Sequence, residues 1–410
     1  MKILIIDTNL ALPFALAFSK QHEVDYFIGS FNPYPTMEEV ISGWGFREIN
    51  KISNFVINNP DFVFIVDVGF GGLADFFRKN GIPVFNGNKV IENLETDRAF
   101  FYSIMQQYNI PVAEYHVFKS VEEAIRFAKE HEGEYWVYKP SYIRGSFETF
   151  ISNNSEEVTQ RLLPLSIIDD FTLVAEKKFP DNYVEIGFDS FFNGKEFYNP
   201  IFFTIEIKGA ANFTMVTNIE DSPFEDFLNK IKPFLQEYNY RGMFNMEGFY
   251  NPTTHIFYPI DATIRNPFIC SYAYVDIPNL AEFMYAVARG EDFPELKIPG
   301  RYSLQVGIYT DNPTYIREIE APLPQFKPRR AIKHDNKIFY IPNDVTIGAI
   351  TVWSNEIDNL FNQARELVEK VKVSESYQQL EYFLTHSHDI IEMFLPFQEK
   401  INLFKLELTG

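Results

Sequence analysis

The chain has one cysteine in 410 residues, Cys270, which excludes an internal disulfide and predicts a reducing compartment. It follows Phe268 and Ile269 and reads as a small core residue rather than a nucleophile. Histidines number seven and are scattered; apart from His386-Ser-His388 no pair has metal-ligand spacing, and nothing supports a Ser or Cys triad. The first glycine is Gly29, so the turn Asp7-Thr-Asn-Leu-Ala11 after the first apolar run lacks a dinucleotide-binding fingerprint. No uncharged apolar run reaches membrane length, and Met1–Asp7 is too short for a signal core. A soluble, cytoplasmic protein without a membrane partner is therefore expected. Basic residues are also short, 36 Lys and Arg against 56 Asp and Glu. The formal charge of −20 opposes a broad nucleic-acid surface, but it allows a small phosphorylated substrate held by a local Lys/Arg cluster.

What is abundant is apolar. Hydrophobic residues make up 46%, with 43 Phe, enough for two or three buried cores and with aromatic surface to spare for a homodimer interface. The first ninety residues alternate strand (Lys2–Asp7, Val24–Ile28, Phe62–Val68, Pro83–Phe85) with helix (Leu10–Lys20, Leu73–Asn80), which predicts parallel βαβ units. The loop Gly69-Phe-Gly-Gly72 has free amides that would hold an anion, or makes a plain tight turn. Residues 93–129 read as helical, broken at Asn109-Ile-Pro111. Glu134–Lys139, Thr172–Glu176, Val184–Phe192 and Phe197–Ile207 read as strands, with Asn193-Gly194 as a hairpin turn. Helices over Pro223–Tyr238 and Asn279–Arg289 follow, and a β-rich tail closes with a helix over Glu356–Val371.

The residues that carry chemistry centre on one hairpin. Glu247 lies in Met243–Tyr250, and Asp261, Thr263 and Arg265 share one face of the next strand. With a five-residue turn over Asn251–His255, Glu247 falls opposite Pro259, roughly 7–8 Å diagonally from Asp261. Two carboxylates so close need a cation or a proton, which points to a metal–phosphate site. Lys139 ends an apolar strand, where it meets an anion or snorkels to water. The loop Pro140–Ser146 adds Arg144 and suits a lid over phosphates. Glu176, Lys177 and Phe179 lie where a strand turns without a glycine, a segment able to present backbone groups to a purine edge. Glu185 would take ribose hydroxyls or be a solvated strand residue. Arg98 opens a helix, where the dipole disfavours a cation unless an anion is bound. Lys208 is a similar candidate, or forms an exposed ion pair with Glu206.

In order along the chain, these segments resemble the ATP-grasp superfamily, most nearly the phosphoribosylamine–glycine ligases. Gly81–Gly87, Leu94-Glu-Thr-Asp-Arg98, Tyr108–Ala113, Lys139-Pro140, Val174-Ala-Glu-Lys177, Tyr183–Asp189, Arg241–Glu247 and Ile260–Arg265 carry the likeness, clearer over residues 1–300 than 301–410. The resemblance implies an α/β and α+β architecture. An amino-terminal parallel-sheet, Rossmann-like domain (1–92) would precede an ATP-grasp domain (93–300) with a mobile lid at about 113–180 and a small β-rich domain (301–410). It implies ATP and Mg2+ as cofactors, with Glu247, Asp261 and Thr263 on the metal. Arg98, Lys139, Arg144, Glu176, Lys177, Phe179, Glu185 and Lys208 would lie around ATP, and Arg265 and Lys139 at the chemistry.

The implied activity joins a small-molecule carboxylate to an amine through an acyl phosphate. The sequence departs from the family at several points. Asp261 stands for Glu, Thr263 for Asn and Arg98 for Lys, and the phosphate and amino-terminal loops have few glycines. Two alternatives stay open: true phosphoribosylamine–glycine ligation, and an inactive nucleotide-binding regulatory or scaffold relative.

Overall fold

The computed structural model describes residues 1–29, 35–52, 59–141, 149–168 and 171–395. Four sheets organise these residues. The first is parallel and ordered β3-β2-β1-β4-β5, from β1 (Lys2–Asp7), β2 (Glu23–Ile28), β3 (Asn50–Ile52), β4 (Phe62–Ile65) and β5 (Val84–Phe85). Its central strands are apolar on both faces, as a strand covered on each side must be. The crossovers carry α1 (Leu12–Phe18), α2 (Met37–Ile41) and α3 (Gly71–Lys79).

After α4 (Asn93–Thr96) and α5 (Arg98–Gln107), the second sheet is ordered β6-β9-β7-β8: β6 (Tyr115–Phe118), β7 (Trp136–Pro140), β8 (Phe150–Ser152) and β9 (Leu173–Lys177). It is flanked by α6 (Val121–Glu130) and α7 (Ser155–Leu162), whose N-termini are capped by the Ser120 and Asn154 side chains. β6 interrupts the segment read as helical over 93–129. Its four residues alternate too briefly to outweigh the helical pattern on either side, and its pairing with β9 decides the conformation.

The third sheet has nine strands and is antiparallel. It begins β14-β13-β10-β11-β12, with β10 (Val184–Asn193), β11 (Ile201–Ile207), β12 (Ala211–Thr217), β13 (Arg241–Asn251) and β14 (Ile256–Thr263). The β10–β11 turn is Asn193-Gly194, with Gly194 at φ 92 as a tight hairpin requires. α8 (Glu225–Glu237) covers one face through Phe227, Ile231 and Phe234, and α9 (Leu280–Arg289) packs on β5, β10 and β13. Gly290, in the left-handed region, ends α9.

From residue 302 the chain forms β15 (Tyr302–Thr310), β16 (Arg317–Ile319), β17 (Phe326–Pro328), β18 (Ala331–His334), β19 (Lys337–Tyr340), β20 (Thr346–Ser354) and β21 (Ser376–Tyr377). β15 pairs with β12, so the large sheet runs on through β15, β20 and β17, while β16, β19 and β18 make a small sheet. α10 (Ile357–Val368) follows, and α11 (Leu380–Phe394) is a second closing helix beyond the one expected. α11 buries Phe383, Ile391 and Phe394 in the main core. Asn86, at φ 63, ties the first sheet to the third: its amide donates to Ile65 O and Asn266 Oδ1 and accepts from Met243 N.

Candidate active site

The acidic hairpin differs from its expected register by one residue. Asn251 pairs with Ile256 and Gly248 with Pro259, but Glu247 pairs with Asp261. Ile260 is the extra residue of a bulge, so Glu247 and Asp261 face each other directly instead of diagonally. Direct partners have Cβ atoms about 4.5–5.5 Å apart, closer than the sequence suggested. Gly248 makes the bulge possible, since a Cβ there would lie 2.3 Å from Tyr258 O and 2.6 Å from the Phe257 ring.

Three cations reach this hairpin from separate elements. Lys208, at the end of β11, stands 3.7 Å from Glu247. Lys139, at the end of β7, is buried; it pairs with Glu176 and donates to the bulged Ile260 carbonyl at 3.3 Å. Arg98, first residue of α5, makes a two-point contact with Asp261, Nη1 to Oδ1 and Nη2 to Oδ2 at 3.3 Å. The Asp97 carboxylate caps α5 by accepting from Ala99 N and Phe100 N, leaving Arg98 to project from the first turn. The anion expected at Arg98 is thus Asp261 itself, the carboxylate expected on the metal.

Electrostatics follow from this crowding. Burial pushes the Glu247 carboxyl up, and nearby Glu206, Asp261 and Glu185 add to the rise against the opposing pull of Lys208. Burial acts the same way on Asp261, but Arg98, with Lys139 and Lys208, outweighs it and holds that carboxyl below its usual range. Two facing acids are therefore pushed in opposite directions.

Beside Glu247 lies a cavity of about 290 Å³, lined by Glu185, Glu206, Lys208, Asn245 and Glu247 among others. Gly187, opposite Glu247 on β10, leaves that space open: a Cβ there would meet Thr204 Oγ1 at 2.9 Å. Asn245 is buried and donates to Asp189 at 2.6 Å, and its Oδ1 has no hydrogen-bond partner among the described residues. A larger cavity of about 870 Å³ between α10 and α11 shares no residue with the acids, and its Arg365 is paired with Glu381.

The remaining expected residues divide. Thr263 pairs with Asn245 two residues along the ladder from Glu247–Asp261, and so faces the same side. Glu176 faces the site through its Lys139 pair, but Lys177 projects from the other face of β9, against Glu134 and over the Trp136 ring at 4.7 Å. Strand alternation makes that unavoidable: both residues of a dipeptide cannot line one face. Phe179 joins Tyr183, Phe249 and Tyr258 in an aromatic group with centroids 4.8 to 5.9 Å apart. Phe249 lies opposite Glu185, so these rings border the acidic side of the sheet.

Arg265 is held at Nε by Glu95 at 2.9 Å and Asp67 at 3.1 Å, which keep its guanidinium charged despite burial. Arg144 lies outside the described residues. The Gly69–Gly72 loop does take an anion, but an internal one: Gly71 N donates to Glu92 at 3.2 Å. Burial pushes Glu92 up to about 7 against that hydrogen bond.

The sequence analysis assigned no site role to Asp67, Glu95 or Asn245, and it named Glu206 only as a possible exposed partner of Lys208. Glu95 sits three residues before Arg98, and Asn245 two before Glu247 on the same face, so period-two reading of that strand was the available signal.

Whether these residues suit a divalent cation is a question of donor chemistry. Among the described residues no three His, Cys, Asp or Glu side chains form a ready cage. A magnesium site does not need one: two carboxylates with nucleotide oxygens and water suffice, and Glu247, Asp261 and the orphaned Asn245 oxygen meet that requirement.

No family model matches the chain. It is 30% identical over 125 residues to a bifunctional purine biosynthetic protein of Saccharomyces cerevisiae, covering 30% of this chain and 15% of that one. It is 29% identical over 133 residues to a phosphoribosylamine–glycine ligase of Fusobacterium nucleatum, covering 31% of each. The matched stretches thus span less than a third of these relatives' lengths.

Among solved structures, the Thermotoga maritima phosphoribosylamine–glycine ligase superposes with a TM-score of 0.70 at 18% identity, covering 93% of this chain and 99% of that one. The biotin carboxylase domain of Hydrogenobacter thermophilus 2-oxoglutarate carboxylase, a dimer in complex with MgADP, gives 0.64 at 15%, covering 96% and 98%. This chain has the ATP-grasp fold and is a divergent relative within the ATP-grasp superfamily, sharing partial sequence similarity with the phosphoribosylamine–glycine ligases.

Proposed function

We propose that the protein is an ATP-dependent carboxylate–amine ligase. The observation that carries the reading is the direct Glu247–Asp261 pair, with Lys208, Arg98 and Lys139 converging on it from three elements. Glu247 and Asp261, with Thr263 or Asn245 as a further oxygen, are the residues proposed to hold magnesium, which when bound neutralises phosphate charge. Lys139, Arg98 and Lys208 take the phosphate oxygens of ATP. The Phe179 aromatic group and the Glu176 strand border the base, and Glu185 takes the ribose.

The γ-phosphoryl group passes to a substrate carboxylate, giving an acyl phosphate and ADP. An amine then attacks the acyl carbon, the C–N bond forms, phosphate leaves, and the amine gives up its proton. No protein nucleophile is needed, because phosphoryl transfer is carried by positioning and charge neutralisation. Arg265, fixed at Nε by Asp67 and Glu95, orients the carboxylate and steadies the tetrahedral oxyanion. Small-molecule acid and amine substrates, a cytoplasmic location and a domain division near residue 92 accompany this reading, while the division expected near residue 300 falls between paired strands of one continuous sheet. Among the described residues no helix is long and apolar enough to cross a membrane.

One observation favours a second reading, an inactive nucleotide-binding relative: Arg98 and Lys139 already have internal carboxylate partners. Magnesium-dependent ADP release measured across a pool of amino acids and amines tests the proposal. Release with at least one acid–amine pair supports ligation, while nucleotide binding without release with any pair rejects it for the inactive reading. Release confined to glycine and phosphoribosylamine would assign the purine-pathway reaction.

A further inference from the structure

Asp189, in β10, is completely buried, and the two side chains that donate to it are both neutral. Tyr274 gives its hydroxyl to one carboxyl oxygen, and Asn245 gives its amide to the other at 2.6 Å. A buried acid held only by neutral donors is costly, and apolar side chains of similar volume would fill the space without that cost. The arrangement instead fixes a direction. Asn245 lies directly opposite Asp189 on β13, and its amide nitrogen also donates to the Phe188 carbonyl at 3.2 Å. Both N–H bonds of the amide are thereby engaged. A carbonyl oxygen can only accept, so the nitrogen must face β10 and Oδ1 is turned away from it. Tyr274 comes from the short helical turn Cys270–Asp276, where it is buried with its ring against Phe202 at 4.7 Å, so the acid it holds is fixed in turn.

What shares this face gives the direction its meaning. Asp189, Asn245 and Thr263 form one cross-strand row, and Gly187, Glu247 and Asp261 form the next, two residues along. Asn245 and Glu247 therefore stand on one side of β13, about 7 Å apart at the backbone. Asn245 is 2% exposed and lines the same cavity as Glu247, Glu206 and Lys208. Its Oδ1 is buried without a partner among the described residues, a desolvation cost that a cation or a donor would remove. The neighbouring acids favour the cation. A hard divalent ion takes oxygen ligands, and an amide oxygen adds one without a further negative charge beside Glu185, Glu206 and Glu247. Thr263, across the ladder, offers a hydroxyl one bond shorter in reach, on a β-branched stem with restricted rotation.

We infer that Asp189 and Tyr274 are positioning residues. With the Phe188 carbonyl they lock the Asn245 amide so that its oxygen, rather than Thr263, completes the divalent-cation site of Glu247 and Asp261. Left free, the Asn245 side chain would present either end to the acids, and its NH2 end repels a cation. With both hydrogens engaged on β10, only the acceptor is presented. The task of Asp189 is to accept a hydrogen bond, not to carry charge. The inference rests on the ligase reading of this site, and adds to it the third oxygen and the buried pair that aims it.

The test measures Mn2+ affinity of the full chain by electron paramagnetic resonance, with ADP at saturation. Asn245→Leu should weaken Mn2+ by about tenfold or more, roughly 1.4 kcal/mol, and by more than Thr263→Val does. Asn245→Asp should match or exceed the wild type, and Asn245→Ser supplies the reading if Asn245→Leu fails to fold. Asp189→Leu combined with Tyr274→Phe leaves no orphaned partner in the core; it should keep the circular dichroism spectrum and weaken Mn2+ by about tenfold. Asp189→Asn keeps an acceptor without the charge and should restore affinity to within about threefold of wild type, which a role in fold or in field would not do. Equal losses in Asp189→Asn and the Leu–Phe double variant overturn the positioning role. Unchanged affinity in Asn245→Leu, or a larger loss in Thr263→Val, overturns the inference alone, because the site itself still binds. Wild-type protein that takes up no Mn2+ with ADP overturns the metal site of the ligase reading, and this inference with it.

Discussion

Arg98 and Asp261, 163 residues apart in sequence, meet in a two-point guanidinium–carboxylate contact at the mouth of the acidic hairpin. A cation bound at Asp261 competes with Arg98 for the same oxygens. On the proposed reading, nucleotide entry would exchange one partner for another, the carboxylate turning to the metal and the freed arginine to phosphate. Neither group is ever left bare, which keeps the cost of a partly buried charge low in both states.

Replacing Asp261 with Asn removes the charge that both partners need. Magnesium-dependent ADP release should fall by about two to three orders of magnitude, with the circular dichroism spectrum unchanged. Turnover within tenfold of wild type would sink the assigned role.

Lys139 and Glu176 form a buried pair, so single substitutions should be much worse than the double. Lys139→Met leaves Glu176 buried and unpaired, costing about 3–5 kcal/mol in urea denaturation. Lys139→Met with Glu176→Leu should recover most of that stability, yet bind no ATP analogue. Nucleotide affinity retained by the double variant would remove Lys139 from the phosphate site.

Glu247 has a raised carboxyl, so a cation must displace a proton there at neutral pH. Magnesium affinity, followed by calorimetry with ADP present, should therefore climb as pH rises from 6 to 8, by up to about tenfold per pH unit. In Glu247→Gln the slope should vanish together with most of the affinity. A flat wild-type profile contradicts the assignment.

Glu92 provides a pH test of stability with no nucleotide. Folded, it holds its proton to about pH 7, against an ordinary value of 4.5. The folded state therefore binds the extra proton between those values, and stability must fall as pH rises through that window, by roughly 3 kcal/mol if Glu92 acts alone. Glu92→Gln should flatten that part of the profile in thermal denaturation.

Gly248→Ala should damage the bulge. The new Cβ would strike Tyr258 O and the Phe257 ring, so the ladder must slip or spread, costing about 1–3 kcal/mol. Because the bulge sets Glu247 against Asp261, ADP release should suffer more than the loss of stability explains.

The sequence disclosed these elements unevenly. The parallel β1, β2 and β4 were legible because strands buried on both faces read as apolar runs, and the Asn193-Gly194 hairpin because its turn needs a residue at positive φ. β6 and α11 were not. A four-residue strand and a helix rich in ring and β-branched residues take their conformation from what they pack against.

Within the site, face could be read from alternation, which grouped Asp261, Thr263 and Glu247. The partner at each position could not. A bulge leaves no mark on the period-two pattern until the opposite strand is known, so the facing pair looked diagonal. That Arg98, Lys139 and the glycine loop each close on a carboxylate of the same chain depends on contacts 37 to 163 residues long, or on a turn such as Glu92, and no local pattern encodes those.

The passage of the large sheet from β12 into β15 sets the limits of dissection. A fragment stopping near residue 300 would present β12 as a bare row of amides and carbonyls, an invitation to self-association. The amino-terminal three-quarters of this chain, expressed alone, is therefore expected to self-associate. The tail, which carries so little of the resemblance, is what closes the scaffold on which the acids stand.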